Sequence, residues 1–256
     1  MKAAQFAPLE PEDAAALLAE VEAFERDWCL VLPYVPERQR GSWLAVLAFA
    51  AEVIAVPGRV SNPSLGDVRL AFWRETLDEI FGPLPPRRHP VVEGLKVTLG
   101  SAGTGRAELA ALIDGIGPFL EPGDDIDIEG AIAVRLGVYR PLAQLLSFLS
   151  GEPSVEEGLV LHALTKSRPD PEAVPGEGGV EPPVKRFARA LAARPDLRAE
   201  LASRINAFAH SQKGAALPTT ALPLALIRRE GDSAVRRMHP LARKLAVFRS
   251  ALTGRL

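Results

Sequence analysis

Residues 43–81 constrain the fold more than any other part of the chain, because they contain two apolar segments of helical length. Pro57-Gly58 and Asn62-Pro63 separate the two segments, and such residues end or begin helices. In the second segment, apolar residues recur every three or four positions along two neighbouring rows, which predicts a helix packed on two sides. The rows are Leu65, Val68, Phe72, Thr76 and Ile80, beside Leu70, Trp73, Leu77 and Phe81.

Segments of the same kind follow one another along all 256 residues, and no run alternates like a strand. The sequence therefore predicts an all-α fold, a single domain over residues 1–256 built as one bundle of about ten helices. Residues 167–183 are rich in Pro, Gly and Glu and are predicted to be a connector. The predicted helices are 10–31, 37–55, 63–81, 90–99, 105–120, 126–149, 154–165, 182–193, 196–212, 221–229 and 238–253.

Cysteine and histidine exclude several kinds of site. The single cysteine, Cys29, excludes an intramolecular disulfide and a cysteine-based metal site, and its apolar neighbours predict a small buried side chain. The four histidines lack zinc-ligand spacing; His89 and His239 precede prolines and are predicted in turns, and His162 is predicted as a surface or core residue. No catalytic residue and no metal ligand is predicted.

Motifs for nucleotide chemistry are also missing from the sequence. It contains no Walker loop, no GxGxxG fingerprint and no GxSxG elbow. Its basic residues lack the interleaved aromatics of a nucleic-acid-binding module, so no nucleic-acid partner is predicted.

Charge is distributed unevenly along the chain. Residues 1–180 contain 15 basic and 27 acidic residues, whereas residues 181–256 contain 15 basic and 5 acidic ones. The basic part is suited to an anionic partner or a membrane surface, or it neutralises the acidic part within the fold. Three acids before the predicted helix 126–149, Asp124, Asp125 and Asp127, suit helix capping, with a cation site as the alternative.

The last predicted helix is amphipathic, with apolar and basic residues on opposite faces. Such a helix binds an anionic membrane peripherally, fills the groove of a partner, or docks on its own core. The N-terminus lacks a secretory signal and the most apolar windows are shorter than a spanning helix, so the chain is predicted to be cytoplasmic, with peripheral membrane contact as an alternative. The apolar residues are Leu241, Leu245, Phe248 and Leu252, and the basic ones are Arg243, Lys244, Arg249 and Arg255.

A combination of motifs in the first hundred residues resembles a known family. The motifs are Ala48-Phe49, Val60-Ser61, Gly66, Arg69, Phe72-Trp73, Asp78-Glu79-Ile80-Phe81 and His89-Pro90-Val91. Together they resemble the squalene/phytoene synthase family, most closely the branch that contains a mitochondrial complex I assembly factor. The resemblance implies an all-α, isoprenoid-synthase-like bundle around an apolar cavity. It also implies Asp-x-x-x-Asp motifs that hold Mg²⁺-bound diphosphates in active members.

The sequence departs from that pattern at the positions that bind magnesium. Ile54 and Gly58 stand where the first aspartate pair would be, and no Asp-x-x-x-Asp occurs in the chain. Glu52, Arg69 and Asp78 match the family pattern without an assigned role. Two further acids, Glu75 and Glu79, lie one turn apart and are predicted on a solvated face.

Three functions follow from the resemblance. The first is a non-catalytic binding or assembly factor, related to respiratory complex I, without a cofactor. The second is an active Mg²⁺-dependent prenyltransferase that joins two isoprenoid diphosphates. The third is an isoprenoid or lipid carrier with an apolar cavity. The candidate lining residues of that cavity are Phe49, Val53, Leu70, Trp73 and Leu77.

Overall fold

The computed structural model describes residues 7–60, 62–83, 85–121, 123–166, 183–212 and 240–253. Within these ranges the chain forms twelve α-helices and no strand, which confirms the predicted all-α fold. Residues 167–182 of the predicted connector 167–183, and the predicted helix 221–229, lie outside them. The helices are α1 (Pro11–Phe24), α2 (Arg26–Val31), α3 (Glu37–Ile54), α4 (Val56–Arg59), α5 (Pro63–Phe81), α6 (Pro90–Leu95), α7 (Arg106–Asp114), α8 (Ile128–Ser150), α9 (Glu156–Lys166), α10 (Pro183–Ala193), α11 (Pro195–Ser211) and α12 (Pro240–Thr253).

The predicted helix 10–31 is wrong in one respect, because the structure divides it at Glu25. The backbone of Glu25 is extended, with φ −151° and ψ 97°, and α2 begins at the next residue. Its carboxylate accepts a hydrogen bond from the backbone N–H of Asp27 at 3.2 Å, which caps the new helix. This break places Asp27 in the first turn of α2, where the side chain is fully buried.

Helix α3 lies at the centre of the first hydrophobic core. Twelve of its eighteen residues are buried, so other elements cover it on most sides. It contacts α1, α6 and α8, and small alanine side chains allow these neighbours to approach its backbone closely. Its bounds agree with the predicted helix 37–55.

Helix α5 is packed on one side only, which corrects the prediction of two packed sides. Leu70, Trp73 and Leu77 are buried in the first core, as predicted for the second apolar row. The first row divides along its length, because Thr76 and Ile80 are buried whereas its N-terminal members are exposed. The exposed members are Leu65 at 53%, Val68 at 67% and Phe72 at 36%.

Helices α7 and α8 meet at a contact between glycines. An added Cβ at Gly115, just after α7, would lie 2.6 Å from the carbonyl carbon of Gly137 on α8. The two backbones therefore touch with no side chain between them. The predicted helix 105–120 ends early for a local reason, because Gly115, Gly117 and Pro118 follow α7 and a 3₁₀ turn replaces its continuation.

Helix α8 runs through Pro141 for 23 residues. In the part of the chain that the structure describes, it alone has the length and composition of a membrane-crossing helix. The buried helix of a soluble core passes the same test. Here α8 packs between α7 and α9 and buries Leu142, Leu145 and Leu146, as a core helix does.

A second core cluster joins α9, α10 and α11 to the first part of α8. The loop before α8 is acidic, and Asp127 caps α8 by accepting from the backbone N–H of Gly130 at 2.8 Å. Asp125 pairs with Arg186 of α10 at 2.5 Å, and Glu129 pairs with Arg204 of α11. These contacts agree with mutual neutralisation of the acidic and basic parts and with the capping interpretation of the acids.

Candidate functional site

The end of α3 is where the resemblance locates the first metal-binding motif. The two positions expected to hold aspartates are Ile54 and Gly58, and Gly58 has no atom within 4 Å of an added Cβ. The nearby acid Glu52 pairs with Arg59 at 2.8 Å. On the other side, Nζ of Lys185 donates to the carbonyl oxygen of Pro57 at 2.9 Å. At this end of α3 the carboxylate of Glu52 is therefore the candidate ligand for a metal ion, and it is already paired with Arg59.

Two charged residues of α5 form ion pairs with α7. Asp78 pairs with Arg106 of α7, and Arg74 pairs with Asp114 of α7 at 2.9 Å. Helix α7 packs beside α5 and thus supplies an ion-pair partner for each of these two residues. Arg69, the remaining family-pattern residue, is exposed on the same helix.

Arg87 binds Glu79 through two side-chain nitrogens. The Nε atom lies 2.9 Å from one carboxylate oxygen and the terminal nitrogen lies 2.5 Å from the other. These hydrogen bonds lower the pKa of Glu79 to about 2. The same guanidinium stacks 4.4 Å from the ring centre of Phe72 and lies 3.8 Å from the carboxylate of Glu75. Glu75 and Glu79 thus share one guanidinium.

Replacing Glu79 with glutamine is expected to remove a contribution to the free energy of unfolding that is present at neutral pH and lost in acid. A carboxyl group whose pKa falls on folding stabilises the fold above its ordinary pKa of 4.5. That contribution disappears as the pH falls from 4.5 towards 2. The difference in unfolding free energy between the wild type and Glu79→Gln should therefore shrink over this interval, measured by urea denaturation at several pH values. Glu75→Gln is the control and should change neutral-pH stability much less; a constant difference across the interval would contradict the assignment.

The five candidate lining residues lie together in the first core. Phe49, Val53, Leu70, Trp73 and Leu77 are all buried there. The Phe49 and Trp73 rings meet edge to face with their centres 5.3 Å apart. Contacts of this kind are what a folded core requires. Their role as the lining of a ligand cavity stays a prediction.

A buried polar cluster joins α2 to α9, and sequence reasoning missed it. Asp27 and His162 are 0% and 3% exposed, and Oδ2 of Asp27 lies 3.1 Å from Nε2 of His162. Glu25, which caps α2, completes a group whose three ligand atoms lie within 4.8 Å of one another. Asp27 was hidden within a predicted continuous helix, and the signal that could have found the cluster is His162 inside the apolar run LVLHAL.

The chemistry open to this cluster follows from its donor set. One imidazole and two carboxylates are ligands that a divalent cation such as Zn²⁺ uses. The direct Asp27–His162 hydrogen bond already satisfies one atom of each side chain. Burial and the charge of Glu22 raise the pKa of the nearby Cys29 thiol, which disfavours its thiolate form. The arrangement is that of a buried hydrogen bond between a carboxylate and an imidazole, and it links two helices that are far apart in sequence.

A buried arginine lies on α8. Arg135 is almost fully buried, and burial lowers its pKa to about 10. Its guanidinium lies 6.0 Å from the ring centre of Phe119. One turn further along the helix, burial raises the pKa of Tyr139 to about 12. These groups make the junction between the two core clusters partly polar.

Comparison with known proteins now assigns the first part of the chain. Residues 21–130 match the family model of squalene/phytoene synthase. This segment is squalene/phytoene-synthase-like. The predicted resemblance to this family is therefore confirmed for these residues, and the all-α architecture of the structure agrees with it.

Two known proteins are similar to part of this chain. "NADH dehydrogenase (ubiquinone) complex I, assembly factor 6" of Bos taurus is 32% identical over 59 residues, 23% of this chain and 18% of the relative. The corresponding "assembly factor 6 homolog" of Drosophila melanogaster is 32% identical over 101 residues, 38% of this chain and 30% of the relative. The chain therefore spans less than a third of the length of either relative. No solved structure matches it at a significant level.

The squalene/phytoene-synthase-like segment ends at the start of α8. It contains Asp27 and the end of α3, whereas His162, Arg186 and Arg204 lie beyond it. The buried Asp27–His162 pair consequently joins the matched segment to the remainder of the chain.

Proposed function

We propose that this protein is a non-catalytic squalene/phytoene-synthase-like protein that assists the assembly of respiratory complex I. The proposal rests on the residues at the end of α3, where Ile54 and Gly58 occupy the positions of the expected aspartates. Neither side chain offers an oxygen, and Mg²⁺ binds through oxygen ligands. The names of the two matched relatives, both complex I assembly factors, support the assembly role.

The charge around α3 and α5 argues against prenyl transfer. Ionisation of an isoprenoid diphosphate needs Mg²⁺ ions, held by carboxylates, to neutralise the departing diphosphate. The carboxylate of Glu52 is engaged by Arg59, and that of Glu79 by Arg87. Reuse of these acids as metal ligands would require both arginine pairs to break.

Deletion of the gene is expected to lower the amount of assembled complex I, measured on native gels and by rotenone-sensitive NADH oxidation. Complementation with the wild type and with Glu52→Gln should restore both equally, because the proposed role uses no metal-binding carboxylate. Glu12→Gln, an exposed change in α1, is the matched control. An unchanged complex I level in the deletion strain would overturn the assembly role.

The same variants separate this function from the alternative enzyme. Purified protein incubated with Mg²⁺ and farnesyl or geranylgeranyl diphosphate is expected to release no diphosphate above the blank. Release that is lost in Glu52→Gln and kept in Glu12→Gln would overturn the non-catalytic proposal and support an active prenyltransferase.

A further inference from the structure

Helix α12 docks on the protein by the face opposite to its apolar stripe. Ala246, Val247 and Ser250 are buried where α12 contacts α2, and their small volumes permit a close approach. The described members of the predicted apolar row face outward instead, with Leu245 at 63%, Phe248 at 49% and Leu252 at 69% exposed. The alternative in which this row docks on the core is therefore wrong. Leu241, Arg243 and Arg255 lie outside the described side chains.

The exposed residues form a continuous amphipathic surface. At 3.6 residues per turn, Leu245, Phe248 and Leu252 lie within an arc of about 60°. Lys244 and Arg249, both exposed, flank that arc at about 40° on either side. Residues 240–253 contain no acidic residue. An apolar stripe bordered on both sides by cations is thus presented to the surroundings.

The exposed face of α5 differs from this surface in its charge. Leu65 and Val68 are about as exposed as Leu245 and Leu252. Beside them Asp67 and Arg69 are exposed as well, so the charge on this face is mixed. Apolar exposure is thus common to both helices, while uniform positive charge distinguishes α12.

We propose that the outward face of α12 binds the surface of an anionic lipid bilayer. The apolar stripe would enter the boundary between headgroups and acyl chains, and Lys244 and Arg249 would contact anionic headgroups. A helix lying in the interface needs one large apolar face and flanking cations, and α12 presents both on its solvent side. The proposal is independent of the assembly role, since it requires only the geometry of this helix.

Vesicle sedimentation of the full chain tests the proposal. The wild type should bind vesicles of phosphatidylglycerol and phosphatidylcholine at least tenfold better than vesicles of phosphatidylcholine alone. The double variant Leu245→Ser/Phe248→Ser should lose at least tenfold in binding to the anionic vesicles. Lys244→Gln/Arg249→Gln should lose severalfold and show a weaker dependence on salt. All variants should retain the circular dichroism spectrum and melting temperature of the wild type, because the changed side chains are exposed.

The matched control is Leu65→Ser/Val68→Ser on α5, which removes similar apolar exposure and should leave vesicle binding unchanged. An equal loss in this control would overturn the proposal, as would equal binding to neutral vesicles. A chain that binds no vesicles but forms a dimer broken by Leu245→Ser/Phe248→Ser, measured by sedimentation velocity, would overturn it in favour of self-association.

Discussion

Replacing Asp27 with alanine is expected to lower the free energy of unfolding by about 1–3 kcal/mol, because the buried imidazole of His162 loses a hydrogen-bond partner. Asp27 is fully buried, and its carboxylate lies 3.1 Å from Nε2 of His162. The pair also joins α2 to α9 across 135 positions of sequence, so its loss should weaken the contact between these helices. Urea denaturation followed by circular dichroism at 222 nm measures the change.

Two further variants show whether loss of the Asp27–His162 hydrogen bond causes the change in stability. Asp67→Ala removes an exposed aspartate from α5 and should change stability by no more than about 0.5 kcal/mol. Replacement of both partners by leucine should cost less than Asp27→Ala, because an apolar pair removes both ends of the buried hydrogen bond together. A loss below about 1 kcal/mol for Asp27→Ala would contradict the assignment.

Replacing Gly115 with alanine is expected to destabilise the protein by about 1–3 kcal/mol through overpacking. The backbone at Gly115 has φ −63° and ψ −13°, a conformation that alanine adopts readily. The expected loss is therefore steric, because the new Cβ would lie 2.6 Å from the carbonyl carbon of Gly137 and α7 would have to move away from α8. Thermal or urea unfolding of the variant measures it.

Gly137→Ala provides the matched control from the other side of the same contact. Its added Cβ would lie 3.6 Å from the Cα of Gly115, an ordinary contact distance. Alanine within a helix also gains up to about 1 kcal/mol over glycine. Gly137→Ala should therefore be neutral or stabilising, and a loss equal to that of Gly115→Ala would show that the close approach is not where the structure has it.

The helices that the sequence predicts best are those bounded by local signals. Asn62 caps α5 by accepting from the backbone N–H of Ser64 at 2.8 Å, and Pro63 occupies the first turn. His89, which was predicted in a turn, caps α6 in the same way by accepting from the backbone N–H of Val91. Such signals act over a few residues, so they can be identified in the sequence without knowledge of the tertiary structure.

The candidate site was less accessible to sequence reasoning. The departure at Ile54 and Gly58 is visible in the sequence, because the absence of an aspartate at a given position can be read from the residue itself. The arginines that engage Glu52 and Glu79 are seven and eight positions away, beyond helical spacing, so their pairing had to be seen in space. His162 was recognised as a surface or core residue, but its partner 135 positions earlier was not.

Local patterns in the sequence suffice to predict an all-α chain, the ends of most of its helices and its resemblance to the squalene/phytoene synthase family. Which apolar rows are covered depends instead on how the helices pack together. The rows on α5 and α12 have the periodicity of core helices, yet Val68 and Leu252 are exposed. Periodicity places apolar side chains on one face of a helix, whereas burial depends on whether another element packs against that face.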